Sequence, residues 1–262
     1  MTMFATADKA NPVPTTFRLD PRGVLPLHAE LYLLAHDDDT GNLLINQQSL
    51  ELGLAGALLL ELAFKEYVAV GYHYDDFRRQ WQRQPGRLTL CQTGPTSNTL
   101  WDAALTTVEQ VIRTHRDDDQ LRAVLRSFAA ADLYERVRAA LVTVGLLQRT
   151  TRRRLAGLVK TETHLPVHYG FAVRARAHIR DAVAHYAETA RYRPTPPGDE
   201  CAALCGLVAA LELADFLYDA MPVRDLNPWL EHVADNHDNQ AVSAVVRAVD
   251  AGRGDLAVAA MH

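Results

Sequence analysis

The sequence predicts a mostly α-helical protein: a central apolar helix surrounded by a helical bundle, with one or two β-hairpins. Three observations lead there. Residues 53–63, GLAGALLLELA, are apolar nearly all round, and such a helix must be surrounded by other helices or by lipid. This segment is too short, and too charged at Glu51, Glu61 and Lys65, to span a bilayer, so it reads as the rod of a helical globule. Apolar residues at helical spacing recur downstream, whereas strand-like alternation is confined to short stretches.

The elements follow in order. Residues 1–24 are polar and contain Pro12, Pro14 and Pro21, the composition of a disordered tail. Residues 25–262 read as a single domain, because no long linker divides them. Leu27, Leu31 and Leu34 form one stripe of a first, amphipathic helix. A turn follows at Asp37–Gly41, with the bend starting at Asp39 or Thr40 and ending at Gly41. Gly53 and Gly56 weaken the central helix and predict close approach of a neighbouring backbone. Tyr67–Tyr72 is β-prone, Asp75–Gln84 is charged, Pro85-Gly86 signals a turn, and Arg87–Cys91 alternates like a strand. Thr96, Ser97 and Asn98 offer N-caps for a helix from Leu100 to Thr114. Helices are expected over Gln120–Ala129 and Leu133–Val144, the latter stopping at Gly145. Residues 146–159 read as strand, turn, strand, and further helices as Ala172–Arg191, Glu200–Asp219 and Gln240–Met261. The type of 225–239 stays open, with a cap for the last helix inside 235–240.

Composition narrows the function classes. A hydrophobic share of 48% with 23% charged residues is that of a soluble globular protein. The net charge of −5 provides no overall basic field for DNA or anionic lipid, so such binding must come from a local patch, and nucleic acid is not expected as a partner. Of 27 basic residues only Lys9, Lys65 and Lys160 are lysines, a bias that suggests a GC-rich, actinobacterial genome. Cys91, Cys201 and Cys205 stand at no zinc-like spacing, and the last two read as small core residues. The N-terminus lacks a basic region followed by an apolar run, which predicts a cytoplasmic protein.

Few constellations carry chemistry. Asp37, Asp38 and Asp39 could attract Mg²⁺, but no second carboxylate set faces them in the sequence, and they read as a solvated turn. Arg149, Arg152, Arg153 and Arg154 form the strongest positive cluster, suited to phosphate through bidentate guanidinium contacts. His164 and His168 bracket Pro166, which argues against the helix a His-x3-His metal pair needs. With His36, His73, His115, His178, His185, His232, His237 and His262 they read as loop and surface residues, so no metal set and no cofactor is expected. Phosphate-loop, dinucleotide-loop and nucleophile-elbow motifs are absent from the sequence.

The order of Leu27–Gly41 (LHAELYLLAHDDDTG), a polar spacer and GLAGALLLELA resembles the Golgi phosphoprotein 3 family, and the resemblance runs to the C-terminus. TLWDAAL (99–105), YERVRAALVTVGLL (134–147) and ALCGLVAALELADFL (203–217) support it by their order. The resemblance implies a peripheral, non-catalytic binding or adaptor protein; eukaryotic members bind phosphatidylinositol 4-phosphate. It also implies a projecting hairpin near 87–97, which in those relatives serves oligomer and membrane contacts. Their lipid phosphate sits against one Trp and three Arg, and the equivalent positions here are Asn46, Ala55, Ala131 and Tyr134. With all four replaced, the expected partner broadens to an anionic lipid head group or a phosphorylated small molecule, at a membrane surface or free, with Arg149–Arg154 as a further anion patch. The alternative is an enzyme or small-molecule-binding protein of bacterial metabolism built on the same scaffold.

Overall fold

The computed structural model describes residues 25–75, 78–115, 119–154, 159–189, 197–217 and 223–261. The proposed N-terminal tail lies outside them. The described residues form ten helices and two antiparallel two-stranded sheets, a mostly α architecture with β-hairpins.

Helix α2, Gln47–Phe64, is the centre, in contact with α1 (Leu27–Leu34), α3 (Thr99–Thr114), α4 (Gln120–Ala129), α5 (Leu133–Thr143), α7 (Asp199–Ala210) and α10 (Gln240–Ala259). Every residue from Leu52 to Leu62 is buried. That ring of partners is what an apolar helix without lipid requires. Asn46 starts α2 by accepting a bond from the Gln48 N–H at 2.8 Å, an N-cap that satisfies one otherwise orphaned donor. The helix ends at Lys65. Glu66 then takes a left-handed φ of 60°, and the Tyr67 N–H returns to the Leu62 carbonyl at 2.9 Å, the bond pattern of a Schellman cap.

The close approach expected at Gly53 and Gly56 is real, but side chains make it. A Cβ on Gly53 would lie 2.5 Å from Leu211 Cδ1, and one on Gly56 2.7 Å from Val249 Cγ2. Nor is α1 amphipathic: all eight of its residues are buried. It lies between α2, α5, α6 (Gly170–Thr189) and α7, so its polar residues His28 and Glu30 must find partners inside the protein.

The hairpins depart from the expected boundaries. Strand β1, Val68–Asp75, pairs with β2, Gln80–Leu90. Pro85-Gly86 therefore does not reverse the chain. Val70 pairs with Leu88 and Tyr72 with Arg83, so residues 84–87 bulge opposite Gly71. Proline is tolerated there because a bulge needs no ladder N–H at every position. The hairpin thus overlaps the expected 87–97 section only at 87–90 and carries the half-exposed Trp81. Strands β3, Leu147–Arg154, and β4, Val159–Pro166, form the second hairpin, with its return strand beyond the expected limit.

The expected helix over Glu200–Asp219 ends at Ala210. Glu212 adopts φ 56°, and the Leu213 N–H bonds the Val208 carbonyl at 3.0 Å, another Schellman cap. A short α8, Ala214–Leu217, follows. The open segment 225–239 supplies most of α9, Val223–Asp235, despite Pro228. Asn98 and Asn239 cap α3 and α10.

Candidate functional site

The acidic turn is organised from Asp37, two residues before the expected bend. Asp37 Oδ1 accepts from the Thr40 N–H at 2.8 Å and its hydroxyl at 2.6 Å, and Gly41 closes the turn at φ 69°. These two bonds lower the Asp37 carboxyl's pKa. Asp38 pairs with Arg176 on α6 at 2.6 Å. A Cβ on Gly41 would stand 2.8 Å from the His164 carbonyl oxygen, so β4 packs directly onto this turn.

Beside it, three rings stack. Tyr32 and His36 of the α1 end lie 4.1 Å apart between centroids, and Tyr134 of α5 lies 5.6 Å from Tyr32 and 5.8 Å from His36. His36 Nδ1 sits 2.6 Å from the Tyr32 carbonyl oxygen. A carbonyl only accepts, so Nδ1 carries the hydrogen, and the Tyr134 hydroxyl donates to Nε2 at 3.0 Å. Burial is the main reason that the His36 pKa falls to about 4, which leaves the ring neutral at pH 7. His36 is therefore a core residue rather than a surface one, and the His237 side chain, in the loop before α10, is 5% exposed beside Asp199. His164 lies in β4 rather than in a loop.

One guanidinium covers the stack and another stands opposite His164 across the β3–β4 hairpin. Arg138 lies 5.4 Å over the Tyr134 ring and pairs with Glu135; Arg149 pairs across the hairpin with Glu162. Both lower the His164 pKa, though burial of that ring contributes most. The bond from Arg149 is the first cause of the depressed Glu162 pKa. The other cluster members, Arg152, Arg153 and Arg154, lie in β3 opposite Thr161, Lys160 and Val159, with side chains outside the described part.

The four family-equivalent positions separate. Asn46 is exposed as the α2 cap, Ala55 is buried in the middle of α2, Ala131 is exposed between α4 and α5, and Tyr134 is half-buried in the ring stack. None of them lines either of the two large cavities. The first, about 600 Å³, is bordered by Glu30, Lys65, His178, Asp199 and Cys201. Burial, with Glu200 adding to it and Arg174 opposing, pushes the Glu30 pKa up to about 7. Cys201 is half-buried and Cys205 fully buried in α7. The second cavity, about 630 Å³, is bordered by His28, Leu100, Arg136 and Leu146.

Sequence reasoning missed the network behind that second cavity. Glu61 accepts from the His28 N–H at 2.8 Å, from His28 Nδ1 at 2.8 and 3.0 Å, and from the Trp101 indole at 2.6 Å. A signal existed: a carboxylate inside an otherwise apolar helix demands partners, and His28 and Trp101 both stand in the quoted family segments. Among the described residues no group of three or more His, Cys, Asp or Glu could hold a metal, and no helix is long and apolar enough to cross a membrane.

Among curated proteins none matches the chain. The family comparison matches residues 27–251, from the first residue of α1 into α10, to Golgi phosphoprotein 3 (GPP34). With that match covering most of its length, and with the apolar α2 rod ringed by helices beside the acidic turn, the chain belongs to the Golgi phosphoprotein 3 family.

Proposed function

We propose that this protein is a non-catalytic peripheral binding or adaptor module. Its ligand is an anionic group, carried by a lipid head group or by a phosphorylated small molecule, and differs from the eukaryotic family's ligand because one indole and three guanidiniums are replaced. The site lies where the α1 end, the start of α5 and the β3–β4 hairpin meet. One observation carries this reading: Arg138 lies 5.4 Å over the Tyr134 ring, and Arg149 stands opposite His164 in the β3–β4 hairpin. Each guanidinium is held by a neighbouring Glu, which fixes its position and leaves donors for phosphate oxygens. Since Glu135 and Glu162 offset much of the positive charge, binding should be weaker than in a site of unpaired arginines.

Flotation with vesicles containing phosphatidylinositol or its 4-phosphate, with inositol phosphate as soluble competitor, tests the reading. Binding should weaken as salt rises and should fall in Arg138→Gln and Arg149→Gln. Competition by the soluble phosphate separates a phosphate site from a general attraction to membrane. No binding of either ligand at low salt would sink the proposal.

A further inference from the structure

The second cavity plays no part in that site. Its walls are mostly apolar, with Leu100, Ala140, Leu141 and Leu146 among them. A volume of about 630 Å³ falls within the range of roughly 300–1,000 Å³ usual for small-molecule pockets. Ser97, Asn98, Thr99 and Thr143 border it as well, and two side chains bring ionisable groups to it.

The first is His28, only 4% exposed. Its Nδ1 faces both oxygens of Glu61. A carboxylate accepts only, so Nδ1 carries a hydrogen and Nε2 is the ring nitrogen left for the cavity. Nε2 has no hydrogen-bond partner among the described residues. The ring cannot swing away, because the Glu61 carboxylate is held from its other side by the Trp101 indole. Nε2 is therefore available to a molecule bound against this wall of the cavity.

The second is Arg136 on α5. Its guanidinium lies 5.8 Å over the Phe128 ring and forms no ion pair among the described residues, unlike its neighbours Arg126 and Arg138. One uncompensated cation on an apolar cavity selects a single negative charge. A phosphomonoester, with up to two charges and a large hydration shell, suits such walls less well than a carboxylate, which a guanidinium binds through two parallel bonds.

We infer that this cavity binds a small apolar carboxylic acid. Its hydrocarbon lies against Leu100, Leu141 and Leu146, its carboxylate pairs with Arg136, and His28 Nε2 forms the polar floor.

The test uses the full chain and dodecanoate below its micelle concentration, read by displacement of a fluorescent apolar acid. Saturable one-to-one binding is expected. Dodecanol, with the same chain and no charge, should bind about tenfold or more weakly. Arg136→Met should bring dodecanoate down to the affinity of dodecanol. Ala140→Phe, which fills the cavity, should reduce binding of both. In the unaltered protein the ¹⁵N resonance of His28 Nε2 should shift at saturation, a reading that needs no variant to fold. The inference is overturned by the absence of saturable binding, by equal affinity of Arg136→Met and parent for dodecanoate, or by binding that leaves the His28 resonance unmoved. Vesicle flotation should be the same in Arg136→Met as in the parent, so this site and the Arg138–Arg149 face can fail separately.

Discussion

Trp101 donates its indole N–H to Glu61 Oε2 at 2.6 Å, tying the first turn of α3 to the last turn of α2. With two donors from His28, three N–H groups surround one buried carboxylate. Glu61→Gln replaces one acceptor oxygen by a donor that faces other donors. It should cost about 2–4 kcal/mol, and Trp101→Phe about 1–3 kcal/mol. Urea unfolding of the variants measures both; a change of under half a kcal/mol in Glu61→Gln would mean that the network contributes little.

Glu30 makes stability depend on pH in one direction. Its folded pKa of about 7 exceeds the ordinary 4.5. The stabilisation from the protonated form is therefore complete below 4.5 and is lost as pH rises through 7. Glu30→Gln should be more stable than the parent at pH 8, by up to about 3 kcal/mol, and close to it at pH 4. Thermal melts across that range would show whether the two curves converge on acidification.

His36 acts in the opposite direction. Its folded pKa of about 4 lies below the ordinary 6.5. The unfolded chain takes up the proton first, so stability is present above 6.5 and is lost as pH falls toward 4. The loss should reach about 3 kcal/mol. Because the Glu30 effect runs the other way over most of this range, the test uses the Glu30→Gln background. Stability there should fall between pH 6.5 and 4 and His36→Gln should remove that fall, whereas a level profile in Glu30→Gln would contradict the assignment.

Gly56 admits Val249 between α2 and α10. An alanine Cβ there would lie 2.7 Å from Val249 Cγ2 and 3.3 Å from Val245 Cγ1. Gly56→Ala should therefore cost about 1–3 kcal/mol despite its better helix propensity. Combining it with Val249→Ala should recover part of that loss, and a double-mutant cycle reads the coupling. Strict additivity would mean that the contact is not the cause.

Glu66 occupies a left-handed position, φ 60°, with its side chain exposed. Glycine adopts that conformation without the Cβ penalty, so Glu66→Gly should stabilise by about 1 kcal/mol. Denaturant midpoints at equal slope would show it.

Much of the fold was legible because apolar patterning reports burial. The run 53–63 could only be a surrounded helix, Gly145 marked a helix end, and the cap candidates at 96–98 and inside 235–240 contained the Asn98 and Asn239 that cap α3 and α10. What was not legible depended on tertiary partners. Pro85-Gly86 has the sequence of a turn and becomes a bulge because β1 continues past it. Glu212 ends α7 although nothing in its residue type favours a left-handed conformation. The α1 stripe suggested a solvent-facing side, and only the packing of α5, α6 and α7 against it removes that side. The site was less legible still. The family alignment drew attention to four scattered positions, whereas the polar clusters join residues 28, 61 and 101, or 36 and 134, whose meeting is a property of the folded chain.

Each sheet is a lone pair of strands, so each carries two outer edges able to recruit a strand from another molecule. In the first hairpin Pro85 has no N–H to offer, and residues 84–87 lift β2 out of register opposite Gly71. A foreign strand could follow β2 for only a few residues before losing alignment. The departure that hid this hairpin's boundaries from sequence reasoning thus also makes the β2 edge a poor template for a foreign strand.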